Sequence, residues 1–100
     1  MDVEVVIYDF GAIKNDVLTA GPAGEGPDLF VGPHDMVGEI VANGVVAPLD
    51  LGSIASDIFD VGIAGFSYNG EVYGFPYATE AIAMYYNADL VGGVPSTWED

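Results

Sequence analysis

Carboxylates are the one reactive group this sequence supplies in quantity. Sixteen Asp and Glu residues stand against a single base, Lys14, with one histidine, no arginine and no cysteine. Each pattern that would turn such residues into a catalytic centre lacks a necessary part. Asp9-Phe10-Gly11 spells the magnesium-binding triplet of protein kinases, but no catalytic loop, glycine-rich nucleotide loop or strand lysine accompanies it. It reads as the polar end of a strand. The Gly21–Gly26 loop has no Lys-Ser or Lys-Thr behind it and carries Glu25, which repels a phosphate, so it reads as a linker. His34-Asp35 is the metal-binding pair of some phosphohydrolases, yet such centres draw on further histidines and His34 stands alone. The same lone histidine, without a Gly-x-Ser-x-Gly elbow, leaves no nucleophilic triad. A carboxylate pair for glycoside hydrolysis is available by residue type, but among so many acids no pair stands out. No loop has the alternating oxygen ligands and following glycine of a calcium hand, and without cysteine there is neither disulfide nor thiolate metal site. Residue type and spacing alone complete no catalytic or metal-binding pattern.

The position of His34-Asp35 says more than its letters. It falls where an apolar run, Leu29-Phe30-Val31, gives way to a helix pattern. In open α/β sheets ligands bind at this carboxyl end of the strands. A carboxylate there suits hydroxyl donors. Capping the first turn of the following helix is its other available role, and one side chain can serve both.

The elements around it alternate. Val3–Tyr8 is a β-branched run and reads as a strand, Gly11–Leu18 as a weak helix, and Gly21–Asp28 as a turn-rich connection. Leu29–Val31 reads as a strand covered on both faces. A helix then runs from Pro33 or His34 to about Ala42, closed by Asn43-Gly44 in a left-handed cap. Val45–Leu51 is extended, and Ser53 to about Ala64 is one or two short helices. Asn69-Gly70, between Phe66-Ser67-Tyr68 and Glu71-Val72-Tyr73, specifies a tight hairpin turn. Thr79–Tyr86 reads as a further strand, and Ser96-Thr97-Trp98-Glu99 has the Ser-x-x-Glu pattern that opens a helix. Strands alternating with helices imply an α/β fold with a largely parallel sheet. Both ends of the chain look cut, since Met1 abuts a strand and the last helix stops as it opens.

A formal charge of -15 repels phosphate backbones and anionic headgroups, so nucleic acid and acidic membranes are poor partners. Hydrophobic residues make up 51% of the chain, which excludes a disordered acidic tail. No apolar run reaches the roughly 20 residues of a membrane span, and Met1-Asp2-Val3-Glu4 does not resemble a secretion signal.

Four segments, in order, resemble the amino-terminal lobe of maltose and maltodextrin binding proteins. They are Gly24-Glu25-Gly26-Pro27-Asp28; His34-Asp35 with Gly38; Tyr68-Asn69-Gly70 leading to Tyr73-Gly74-Phe75-Pro76; and Glu80-Ala81 running to Tyr86-Asn87-Ala88-Asp89-Leu90, with Pro95-Ser96-Thr97-Trp98-Glu99 behind. The resemblance implies a truncated, periplasmic-binding-protein-like lobe. It places the whole chain, residues 1–100, in that partial lobe, with the segment near 79–83 crossing to a second lobe that begins after it. It further implies an extracytoplasmic receptor, with neither cofactor nor catalysis, that binds a saccharide and hands it to the permease of an ATP-driven (ABC) importer. Asp35 and Glu80 match carboxylates that bind sugar hydroxyls in the family. The family's stacking tryptophan is matched by Gly32 and its neighbouring arginine by Met36, so maltodextrin itself lacks its usual platform. Tyr77 is placed either to supply a ring instead or to pack in the core.

Two other readings stand beside this one. A -15 chain favours a cation or polyamine as cargo. An excised or redesigned fragment would act only as a folding or assembly module. The resemblance also implies that the family's first strand, which lies between those matching Val3–Tyr8 and Leu29–Val31, is absent; both would expose edges made to be interior, and a homo-oligomer by strand exchange is expected.

Overall fold

Residues 13 and 17 lie one helical turn apart, as do 36 and 40, and these four apolar positions meet. Ile13, Val17, Met36 and Ile40 form the buried core, with Leu18, Phe30, Val45 and Val46 packed at its margin. The computed structural model describes residues 1–97 and 99. Around this core it sets α1 (Ile13–Ala23) and a 3-10 turn, His34–Met36, that runs into α2 (Val37–Ala42). A second 3-10 stretch (Gly52–Asp57), α3 (Asp60–Gly65) and an antiparallel hairpin of β1 (Ser67–Tyr68) and β2 (Glu71–Val72) follow. The Ser96–Glu99 helix opening involves Trp98 and lies outside the described residues.

The helix expected over 11–18 is displaced. It starts at Ile13 and continues through Gly21 and Pro22, so the supposed linker begins only at Gly24. The cap explains the extension. Gly24 adopts φ 74°, its N–H donates to the Gly21 carbonyl, and the Glu25 N–H reaches back to Ala20. That crossed pair satisfies carbonyls a helix end otherwise strands. The helix over 34–42 forms as expected, and Asn43-Gly44 closes it: Gly44 has φ 67°, its N–H donates to Val41 and that of Val45 to Ile40.

The hairpin also forms as expected. Asn69 and Gly70 both carry positive φ, 51° and 87°, as a tight hairpin turn requires. Ser67 then faces Val72 and Tyr68 faces Glu71. Two glycines let the pieces dock closely. A Cβ on Gly38 would lie 3.3 Å from the Tyr68 ring, where α2 meets the hairpin. One on Gly62 would lie 3.2 Å from Pro76 and 3.3 Å from the Thr79 hydroxyl, so α3 holds the segment that leads to residue 80.

The runs Val3–Tyr8, Leu29–Val31 and Thr79–Tyr86 differ from expectation: none is in a ladder, and the two-stranded hairpin is the only sheet among the described residues. A strand is made by its neighbour's donors and acceptors, and no strand lies beside these runs. Apart from Phe30, which packs at the core margin, their large apolar side chains stay in solvent, with Ile7 93% and Ile82 105% exposed. The molecule is accordingly drawn out to 57 × 32 × 28 Å, with a radius of gyration of 18.1 Å. A compact domain of this length would have about 13 Å. Among the described residues no helix is long and apolar enough to cross a membrane.

Candidate functional site

Asp35 is the second residue of the 3-10 turn that opens α2. Pro33, with φ -74° and ψ 152°, holds the chain extended up to that point, and Met36 then drops into the core. Anchored on either side, Asp35 is left exposed on the outer face of the turn. No side-chain cap hydrogen bond is made at the start of the 3-10 turn or of α2, so the carboxylate is not spent on capping.

An open cavity of about 280 Å³ lies beside it, lined by Phe10, Ile13, Lys14, Pro33, Asp35 and Met36. One wall thus carries a carboxylate, another an ammonium, and the floor is apolar. The Lys14 Nζ donates to Glu39 Oε2 at 2.8 Å, tying α1 to α2 across the core. This bond and the Glu39 charge raise the Lys14 pKa above its ordinary value, with a smaller push from Asp35 and opposition from desolvation. Acceptor and donor groups therefore stand together above a greasy floor, an arrangement suited to a polyhydroxylated ligand with an apolar face.

His34, the other half of the pair, does structural work. Its ring meets Phe66 edge-on at 6.5 Å and packs against Gly65, pinning the 3-10 turn to the end of α3. Gly32 and Met36 are coupled as well. A Cβ on Gly32 would lie 2.7 Å from the Met36 sulfur, so Met36 lies against the place where a side chain at position 32 would begin.

Tyr77 and Glu80 are brought to neither of the described cavities. Both are exposed, Tyr77 at 79%, so the core-packing role open to Tyr77 is not adopted. A second, more open cavity of about 740 Å³ lies between residues 82–86 and 94–97, lined mainly by Ile82, Met84, Tyr86, Val94 and Pro95. Among the described residues no group of three or more His, Asp or Glu is placed to hold a metal ion. Sequence reasoning missed Phe10 and Lys14 as neighbours of Asp35. Their meeting depends on how α1 crosses α2, which no local pattern records.

The chain is similar to several known proteins. The chain is 34% identical over 103 residues to the maltotriose-binding protein of Pyrococcus abyssi, covering 99% of this chain and 22% of that protein. The galactooligosaccharide-binding protein of Bacillus subtilis is 31% identical over 101 residues, 98% of this chain and 24% of its own length. Among solved structures, a cyclo/maltodextrin-binding protein complexed with maltotetraose superposes with a TM-score of 0.76 at 37% identity, over 96% of this chain and 25% of that one. The chain thus spans about a quarter of the length of these relatives, and its path follows the matching part of the cyclo/maltodextrin-binding protein. Residues 1–100 match throughout the family described as bacterial extracellular solute-binding protein, and the chain belongs to that family.

Proposed function

We propose that this chain supplies one lobe's share of an oligosaccharide-binding site in an extracytoplasmic receptor that serves an ABC importer, and that it carries out no catalysis. The observation that carries the reading is Asp35, an exposed and uncapped carboxylate on the wall of an apolar-floored cavity at the start of α2. A maltotriose-binding and a galactooligosaccharide-binding relative, both alike across nearly the whole chain, support the choice of ligand class. A Streptococcus pneumoniae relative described as a maltooligosaccharide ABC transporter solute-binding lipoprotein, 35% identical over 78 residues, supports the importer and the location. That match covers 78% of this chain and 18% of the relative.

Asp35 accepts hydrogen bonds from sugar hydroxyls in this reading. Glu80 and Tyr77 add a second acceptor and a ring from the segment near 79–83, which crosses toward a second lobe. The docking of Gly62 against Pro76 and Thr79 holds that segment in place. The exposed runs at 3–8 and 79–86 offer free edges for strand exchange between copies of the chain.

Calorimetric titration with maltotriose, a galactooligosaccharide, spermidine and divalent cations tests the reading. Heat with a saccharide that Asp35→Asn abolishes supports it. Heat only with cations replaces it with a cation receptor, and silence throughout sinks it.

A further inference from the structure

The resemblance leaves Gly32 where a stacking ring would stand, and Met36 lies against that position. A sugar site without an aromatic surface forgoes the contact that suits the apolar face of a pyranose. The Asp35 cavity is nevertheless lined by a ring, that of Phe10. Phe10 is 69% exposed, so its ring is open to a ligand.

The backbone beneath it is held rather than loose. Asp9 Oδ1 accepts the Gly11 N–H at 2.9 Å, while the Asp9 carbonyl accepts those of Ala12 at 3.0 Å and Ile13 at 3.1 Å. Asp9-Phe10-Gly11 is therefore a side-chain-stabilised turn that leads into α1. Its middle residue lines the cavity, four residues before Lys14.

We propose that Phe10 is the aromatic platform of this site. Its ring takes the apolar face of a pyranose, while Asp35 accepts from the hydroxyl edge and the Lys14 ammonium, one N–H of which is held by Glu39, donates to it. The proposal rests on the saccharide reading and deepens it, because it moves the platform from position 32 to position 10. A ring on a tight turn ahead of α1 approaches the sugar from a different wall than one beside α2. The class of ligand it selects is a hexopyranose that presents one unbroken apolar face.

The test is nuclear magnetic resonance of the isotopically labelled chain, titrated with maltotriose through the millimolar range. The Phe10 ring protons and the Asp35 amide should shift together. Phe10→Ala should weaken binding about fivefold and Phe10→Trp should keep it within about twofold, the loss and rescue expected of a stacking contact. Circular dichroism should show both variants folded as the unaltered chain is, since the ring contributes little to the core. If Phe10→Ala binds as the unaltered chain does while Asp35→Asn binds weakly, the platform is wrong and the site stands. If maltotriose shifts no resonance, or if neither variant changes its affinity, the site and the platform fall together.

Discussion

The corner where α1 meets α2 and the extended runs at 3–8 and 79–86 have similar apolar content and opposite fates. In the corner, Ile13, Val17, Met36, Val37 and Ile40 are at most 6% exposed. In the runs, Val5, Ile7, Ile82 and Tyr85 are 79% exposed or more. Hydrophobicity does not separate the two regions. What separates them is who supplies the backbone partners. A helix satisfies its own N–H and C=O groups and needs a neighbour only for one face, so two capped helices 25 residues apart in sequence, counted from Lys14 to Glu39, make a core by themselves. A strand can do neither alone.

That contrast is sharpest in paired substitutions. Ile40→Ala removes a side chain that is 4% exposed and should cost about 2–5 kcal/mol, a large share of what so small a core supplies. Urea unfolding followed by far-ultraviolet circular dichroism should lose its cooperative step or move sharply to lower urea. Ile82→Ala, at a residue 105% exposed, should stay within about 0.5 kcal/mol of the unaltered chain. Equal effects from the two would show that the 79–86 run is packed in solution, and the division between regions would collapse.

The next effect probes the corner from inside. Gly32→Ala places a Cβ 2.7 Å from the Met36 sulfur, and Met36 must move within a closed core. Overpacking of this kind costs about 1–3 kcal/mol, and a flexible thioether puts it at the low end. The decisive measurement is the cycle with Met36→Ala. Gly32→Ala should cost almost nothing once the sulfur is gone, and an undiminished cost would break the coupling between the two positions.

The legibility of this molecule in its sequence follows the same line. Asn69-Gly70 announced its turn because both residues tolerate positive φ, and Asn43-Gly44 announced its cap for the same reason. Those signals are complete within a few residues. The end of α1 was misplaced because Gly21-Pro22 are usually breakers, while the cap that decides the matter sits two residues later at Gly24. Asp35 was legible as a polar residue at the opening of a helix, where the structure places it, although the strand expected before it is absent. The approach of Phe10 and Lys14 was not, since it is set by the crossing of two helices. The strands at 3–8, 29–31 and 79–86 were read from composition alone, which specifies what a strand would like to bury and not who will pair with it.

The exposed runs make a prediction of their own. Sixteen acids against one lysine hold copies of the chain apart and strain each copy at low ionic strength. Towards about 1 M salt, where the Debye length is about 3 Å, the thermal midpoint should rise. Light scattering over the same series should show a dimer or larger species as the unpaired runs exchange strands. A flat midpoint would remove self-repulsion from the account. A monodisperse monomer at every salt would remove strand exchange.

The smallest effect concerns the one ion pair that fastens the corner. Lys14 and Glu39 are 2.8 Å apart with side chains 42% and 50% exposed, so solvent screens them and their contribution to stability is minor. The pH at which it vanishes is still informative. Lys14 has its pKa raised above the ordinary 10.5, chiefly by the Glu39 hydrogen bond and charge. The folded chain therefore holds this proton more tightly than the unfolded chain. A group of that sign contributes its stability in full below the unfolded pKa and loses it as pH rises through the folded one. The urea midpoint of the unaltered chain should thus drift down above pH 10.5 relative to Lys14→Met, with the two curves parallel from neutral pH to that point. Glu39→Gln should remove most of the drift while Asp35→Asn removes little, because Glu39 supplies the larger part of the shift. If Asp35→Asn instead abolished the drift, the ammonium would belong to the cavity wall more than to the tie between the helices, and the corner would owe its closure to the apolar contacts alone.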